Sequence, residues 1–127
     1  MSTGSEFKTL SAVRLRDAEV LFKNKRYSAS VYLAGYAVEF ALKAAICSHL
    51  SWQQYQIGRG YESFKTHDLD KLLGFCGKQK VVDRKCKVEW LVVKSWKSEQ
   101  RYAPAGKTSR AEARKMISGV RKILLIL

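Results

Sequence analysis

Hydrophobic residues recur along this chain at the spacing of helix faces. Between residues 8 and 24, Leu10, Leu15, Ala18, Leu21 and Phe22 share one arc at about 100° per residue, with Arg16, Glu19 and Lys23 opposite, which predicts an amphipathic helix. Arg14 falls inside that apolar arc and is its one inconsistency. Asn24, Lys25 and Arg26 then form a polar link of the length that joins antiparallel helices. The helix predicted over residues 27–50 is the strongest in the chain. Val31, Ala34, Gly35, Val38, Leu42, Ala45 and Ile46 form its core stripe, and Leu33, Ala37, Phe40 and Ala41 widen it almost all round. A helix apolar on most sides belongs in the middle of a bundle, and Ala34, Gly35, Ala37 and Ala41 let a neighbour come close.

Residues 51–66 hold Gly58 and Gly60 and no clear period, so they read as a loop. A short helix follows from Asp68 to Phe75, with Leu69, Leu72 and Leu73 on its inner side and Gly74 and Gly77 near its end. Residues 82–99 predict another, packing Val88, Leu91, Val92 and Trp96 inward, until Pro104 breaks the pattern. Ser109 followed by Glu112 is a capping-box spacing. It opens a last helix whose Ala113, Met116, Ile117, Val120, Ile123, Leu124 and Leu127 share a face. No run alternates like a strand and no repeat is evident. The expected fold is all-α, an antiparallel up-and-down bundle of four or five helices over residues 10–127. Residues 1–9 are expected to be a flexible N-terminus, because Gly4-Ser5-Glu6-Phe7 looks like a cloning linker.

A chain of 127 residues with 46% apolar types is one domain with enough core to need no disulfide or metal. The longest uncharged stretch, Ala44 to Gly58, is interrupted by His49, Gln53, Gln54 and Gln56 and stops short of the roughly 20 apolar residues of a membrane span. Cys47, Cys76 and Cys86 lack C-x-x-C spacing and read as reduced thiols, with the cytoplasm as the expected compartment. The formal charge of +13 is lopsided. Residues 1–63 carry 8 basic and 5 acidic groups, or +3, whereas residues 64–127 carry 16 and 6, or +10. Such a field attracts phosphate, nucleic acid or an acidic partner.

Candidate chemistry begins on the central helix, where Tyr32, Tyr36, Glu39 and Lys43 form one polar ridge. Glu39 stands among apolar neighbours and needs a cation or a proton there. Lys43 is the nearest cation, with Arg14 and Arg101 as alternatives, and a salt bridge that only holds bundle register is the competing explanation. Arg101 and Tyr102, beside Pro104, offer a planar fork for phosphate and a ring for a base, or else local pairing and packing. His67 is a candidate acid or base, while Asp68 suits the cap of the helix that follows. His49 suits the dipole at a helix C-terminus. Two histidines without a Cys/His cluster give no zinc pattern, and no cofactor motif is present. Arg110, Arg114 and Arg121, flanked by Lys115 and Lys122, make a basic ridge on the last helix, which is either a solvated face or a polyanion contact. Trp52, Tyr55, Tyr61 and Phe64 in the loop exceed what a solvated connection needs and suggest the interface of a homodimer, the competing explanation being a roof over the bundle.

The run from Arg14 to Phe22, then Tyr27-Ser-Ala-Ser-Val-Tyr-Leu-Ala-Gly-Tyr-Ala-Val-Glu-Phe-Ala-Leu-Lys43, resembles the first two helices of a HEPN domain. His67-Asp68-Leu69 and Arg101-Tyr102-Ala-Pro104 resemble its downstream signature, so the likeness spans roughly residues 10–126. The resemblance implies a helical bundle, commonly dimeric, used in nucleotide or RNA transactions. Many members are metal-independent ribonucleases carrying Arg, four to six residues, then His. This chain departs from that spacing: Arg59 is followed by seven residues before His67, no His follows Arg101, and Lys43 stands six before His49. Other members lack the motif and accompany small nucleotidyltransferases. The resemblance therefore implies a non-catalytic nucleotide- or RNA-binding module with such a partner. Its alternatives are an endoribonuclease of toxin or defence type, using His67, Arg101 and Tyr102, and a purely structural dimerisation unit. Ligand contacts would come from Arg14, Tyr32, Tyr36, Glu39, Lys43, Arg101, Tyr102, Arg110 and Arg114.

Overall fold

The computed structural model of the chain describes residues 2–99 and 107–127. Its described residues form six α-helices and no strand: α1 (Gly4–Lys23), α2 (Tyr27–His49), α3 (Leu69–Phe75), α4 (Gln79–Lys85), α5 (Lys87–Val93) and α6 (Arg110–Ile126). The three long helices carry the bundle, in agreement with the all-α fold expected from periodicity. Helix α1 begins six residues before position 10 and so takes in most of the segment expected to be a flexible N-terminus. Thr3 Oγ1 accepts from Glu6 N at 3.1 Å and Glu6 Oε1 accepts from Thr3 N at 2.9 Å, a reciprocal cap that starts the helix. Phe7 then enters the core, stacked on Phe40 and edge-on to Tyr55. Tyr55 N donates to Ser2 O at 2.9 Å, fastening the segment to the loop after α2.

Helices α1 and α2 run antiparallel and close together. Ser11 Oγ donates to Ala37 O at 2.6 Å, and Ser30 Oγ donates to Ala18 O at 2.7 Å. Each buried hydroxyl thus finds a carbonyl on the facing helix, so neither is left unsatisfied. Lys25, at φ 62°, turns the link between them. Helix α2 buries Ala34, Val38, Leu42 and Ile46 completely, and α6 packs on it with Met116, Val120 and Ile123. By length and composition α2 alone would be apolar enough to cross a membrane, contrary to the expectation that no stretch is. Its place between α1 and α6 accounts for that: 61% of its most apolar window, of mean hydropathy 1.3, is buried in the bundle.

The single helix expected over residues 82–99 is two short ones. They meet at Cys86, whose φ of −149° and ψ of 44° are not helical. The inward stripe is also different. Val82, Cys86, Trp90 and Val93 are buried, whereas Val88 and Leu91, expected inside, face solvent. Two apolar stripes compete on this segment. The one with Trp90 removes the larger area from water, and its indole N–H donates to Asp70 Oδ1 at 2.8 Å. Trp96 is buried as expected. Gly35 makes that possible, since a Cβ there would stand 2.2 Å from the indole ring.

The loop aromatics form a roof. Trp52, Tyr55, Tyr61 and Phe64 contact one another edge to face or tilted, and Phe64 packs on Phe75 at 4.4 Å between centroids. Tyr55 OH donates to Phe64 O at 2.6 Å. Of the four only Tyr61 is exposed, so these rings are mostly spent on one another and on the bundle.

Candidate functional site

Among the described residues Glu39 is the one carboxylate in the core, 1% exposed. Helix periodicity places it on the same strip as Lys43, whose Nζ donates to Glu39 Oε2 at 3.1 Å. The ammonium also lies 5.3 Å from the Tyr55 ring centre and 5.9 Å from that of Phe7, so it is held between a carboxylate and two π faces. Of the three cations weighed for Glu39, Lys43 is the partner. Arg14 turns instead to Asp17, 3.3 Å away on its own helix, which removes it from the site. Arg101 and Tyr102 lie outside the described residues.

Sequence spacing gave no sign of the second partner. His67 Nδ1 stands 2.7 Å from Glu39 Oε1, brought across from the loop before α3. A carboxylate only accepts, so this contact places the proton on Nδ1 and leaves Nε2 as the ring nitrogen for a ligand. The His67 side chain remains 56% exposed. The helix behind it is anchored by Asp68, whose Oδ1 accepts from Lys71 N at 3.2 Å, the structural role expected of that residue. Tyr36 meets the His67 ring edge-on at 6.2 Å and the Trp96 ring at 4.9 Å, and Tyr32 OH donates to Tyr36 OH at 3.3 Å. Trp96 Nε1 donates to Tyr32 O at 3.1 Å. The polar ridge of α2 is therefore a continuous array that ends on an oriented, accessible imidazole.

His67 opens into a cleft of about 570 Å³ between the start of α3 and the segment after α5. Lys65, Lys71, Lys94 and Lys97 line it with Trp96. Asp68, Asp70 and Glu99 also line it, and two of these carboxylates are partly committed: Asp68 caps α3, and Asp70 receives the Trp90 indole and sits 3.8 Å from Lys94. These lysines were legible only as part of the charge of the second half, because they come from loops and short helices without a common period. Among the described residues no group of three or more His, Cys, Asp or Glu is placed to hold a metal ion.

The basic ridge of α6 is elsewhere. Arg114 and Arg121 line a separate groove of about 430 Å³ with Glu19, Phe22 and Ile117. Arg110 lies over the Phe22 ring at 5.9 Å, and Arg121 pairs with Glu19. The site residues read from sequence thus fall into two places. Tyr32, Tyr36, Glu39, Lys43 and His67 come together, while Arg110 and Arg114 stand on the α1–α6 side.

A family model described as HEPN domain matches residues 11–127. No curated protein and no solved structure matches the chain.

Proposed function

The chain belongs to the HEPN domain family, whose members are nucleotide- and RNA-related modules, and we propose that it binds nucleotide or RNA without catalysis of its own, helping a partner chain such as a small nucleotidyltransferase. The observation that supports this best is the imidazole of His67, oriented by buried Glu39 and set in a cleft with four lysines. Lysines supply the sequence-independent attraction for phosphate, and the Nε2 of a fixed imidazole accepts directionally from a ribose hydroxyl or base N–H. The ridge of α6 and the charge of +13 extend the field that draws a polyanion in. A homodimer working in the cytoplasm belongs to the same proposal.

Fluorescence polarisation of labelled single-stranded RNA, with ATP as competitor, tests it. Binding is expected at low salt, weakening as salt rises and weakening again in His67→Ala. Absence of binding at low salt, or full retention by His67→Ala with Lys94→Ala and Lys97→Ala, would overturn the placement of the site.

A second reading, a metal-independent endoribonuclease, is favoured by one specific feature. A histidine whose Nδ1–H is held by a carboxylate presents Nε2 as a base, the usual geometry of a catalytic imidazole. Cleavage of mixed RNA in the presence of chelator, lost in His67→Ala, would replace the first reading with this one.

A further inference from the structure

The apolar stripe that α5 does not bury points to a partner. Val88 and Leu91 stand one turn apart and are 70% and 53% exposed. Beside them lies a groove of about 400 Å³ with Leu73, Val82 and Trp90 among its lining residues and Leu91 at its edge. Two large aliphatic side chains exposed together next to a groove of mixed lining, apolar at Leu73, Val82 and Trp90 and charged at Lys80, Asp83, Lys87 and Lys94, form a patch of the kind that marks an interface, unlike single scattered ones. Residues at i and i+3 on a helix also make the ridge against which a second helix packs.

Charge selects the kind of partner. From residue 78 to residue 87 the chain carries Lys78, Lys80, Arg84, Lys85 and Lys87 against Asp83 alone. Lys78 is tied to the carbonyl of Ile126, and the other four cations pair with no carboxylate among the described residues. A second copy meeting this face across a twofold axis would bring the same cations against themselves, on a chain already at +13. An acidic partner gains where a second copy loses.

We propose that the α4–α5 face docks an amphipathic helix of another protein, its apolar stripe on Val88, Leu91 and the groove, its flanks acidic. The groove shares Asp70 and Lys94 with the His67 cleft, so a partner seated here stands beside the bound nucleotide or RNA. In this it deepens the proposed function, on which the identity of the neighbouring ligand rests.

The test uses the full chain and a labelled designed peptide of about 20 residues, long enough to be helical in water, with leucines at i, i+3, i+4 and i+7 and glutamates on the flanks. Fluorescence anisotropy is expected to show binding that weakens by about tenfold or more in Val88→Ser/Leu91→Ser and again in Lys80→Glu/Lys87→Glu. A peptide with lysine flanks, and one with serines for leucines, are expected not to bind. Both variant pairs change exposed residues, and unaltered thermal unfolding shows that they fold. Equal binding by wild type and variants, binding of the serine peptide, or no binding of the glutamate peptide overturns the proposal. So does light scattering in which Val88→Ser/Leu91→Ser halves the mass of the protein, since a second copy would then cover the face. RNA binding by Val88→Ser/Leu91→Ser is expected to match wild type. A chain that binds the peptide but no RNA refutes the nucleic-acid reading while leaving the docking face intact.

Discussion

Glu39 joins the structural and functional explanations that compete for the polar ridge. Its carboxylate is neutralised by Lys43 on one oxygen and steers His67 with the other. The same burial that makes the pair structural makes the histidine directional, because a carboxylate out of water holds its hydrogen bonds firmly. Removing it leaves an uncompensated cation in the core, so Glu39→Ala is expected to cost about 3–5 kcal/mol in chemical denaturation, with Lys43→Met on the same chain restoring part of the loss. A loss under about 1 kcal/mol would mean the ridge is solvated. Arg14 illustrates the opposite outcome. Its place in the apolar arc of α1 suggested a buried partner, but a long side chain can reach out along the surface, and it ends at Asp17.

Among the elements, α1 shows how a linker-like composition can be structural. Gly4 and Ser5 lie inside a helix that Thr3 and Glu6 cap, and Phe7 packs on Phe40 and Tyr55 with the Lys43 ammonium over its ring. Phe7→Ala is therefore expected to destabilise the protein by about 3–5 kcal/mol, as for a buried aromatic elsewhere, measured as a shift of the denaturant midpoint at unchanged slope. A change within about 0.5 kcal/mol would place this turn outside the cooperative unit. Helices α4 and α5 teach a complementary lesson. Seven-residue helices are too short to be stable alone, so packing rather than propensity decides which stripe they bury.

At the scale of the whole molecule, four ionisable groups among the described residues are buried in their neutral forms. Burial pushes the thiols of Cys47, Cys76 and Cys86 above their ordinary value of 9.0, and burial, with the Glu39 charge, pushes the Tyr55 phenol up as well. The native state then binds protons more tightly than the unfolded chain does. That contribution to stability is complete below the ordinary values and is lost as pH rises through the native ones. The denaturant midpoint is expected to fall between neutral pH and about pH 10. In the same experiment a thiol reagent should find no reactive cysteine in the native protein and all three after unfolding. An alkaline midpoint equal to the neutral one would contradict this burial.

The sequence by itself determined the long helices, their order and most of their inward faces. It did so wherever a helix was long enough for its apolar residues to repeat, as in α2 and α6, or where a cap marked its start, as Ser109 and Asp68 do. It also carried the family likeness, because the long helices hold most of those residues. Tertiary structure alone decided the rest. That His67 meets Glu39 across 28 positions, that Trp90 outcompetes Val88 and Leu91 for the core, and that the lysines of three separate segments line one cleft are contacts between elements. Periodicity reports which side of a helix avoids water. Which neighbour waits on that side depends on how the helices pack, and no local pattern encodes it.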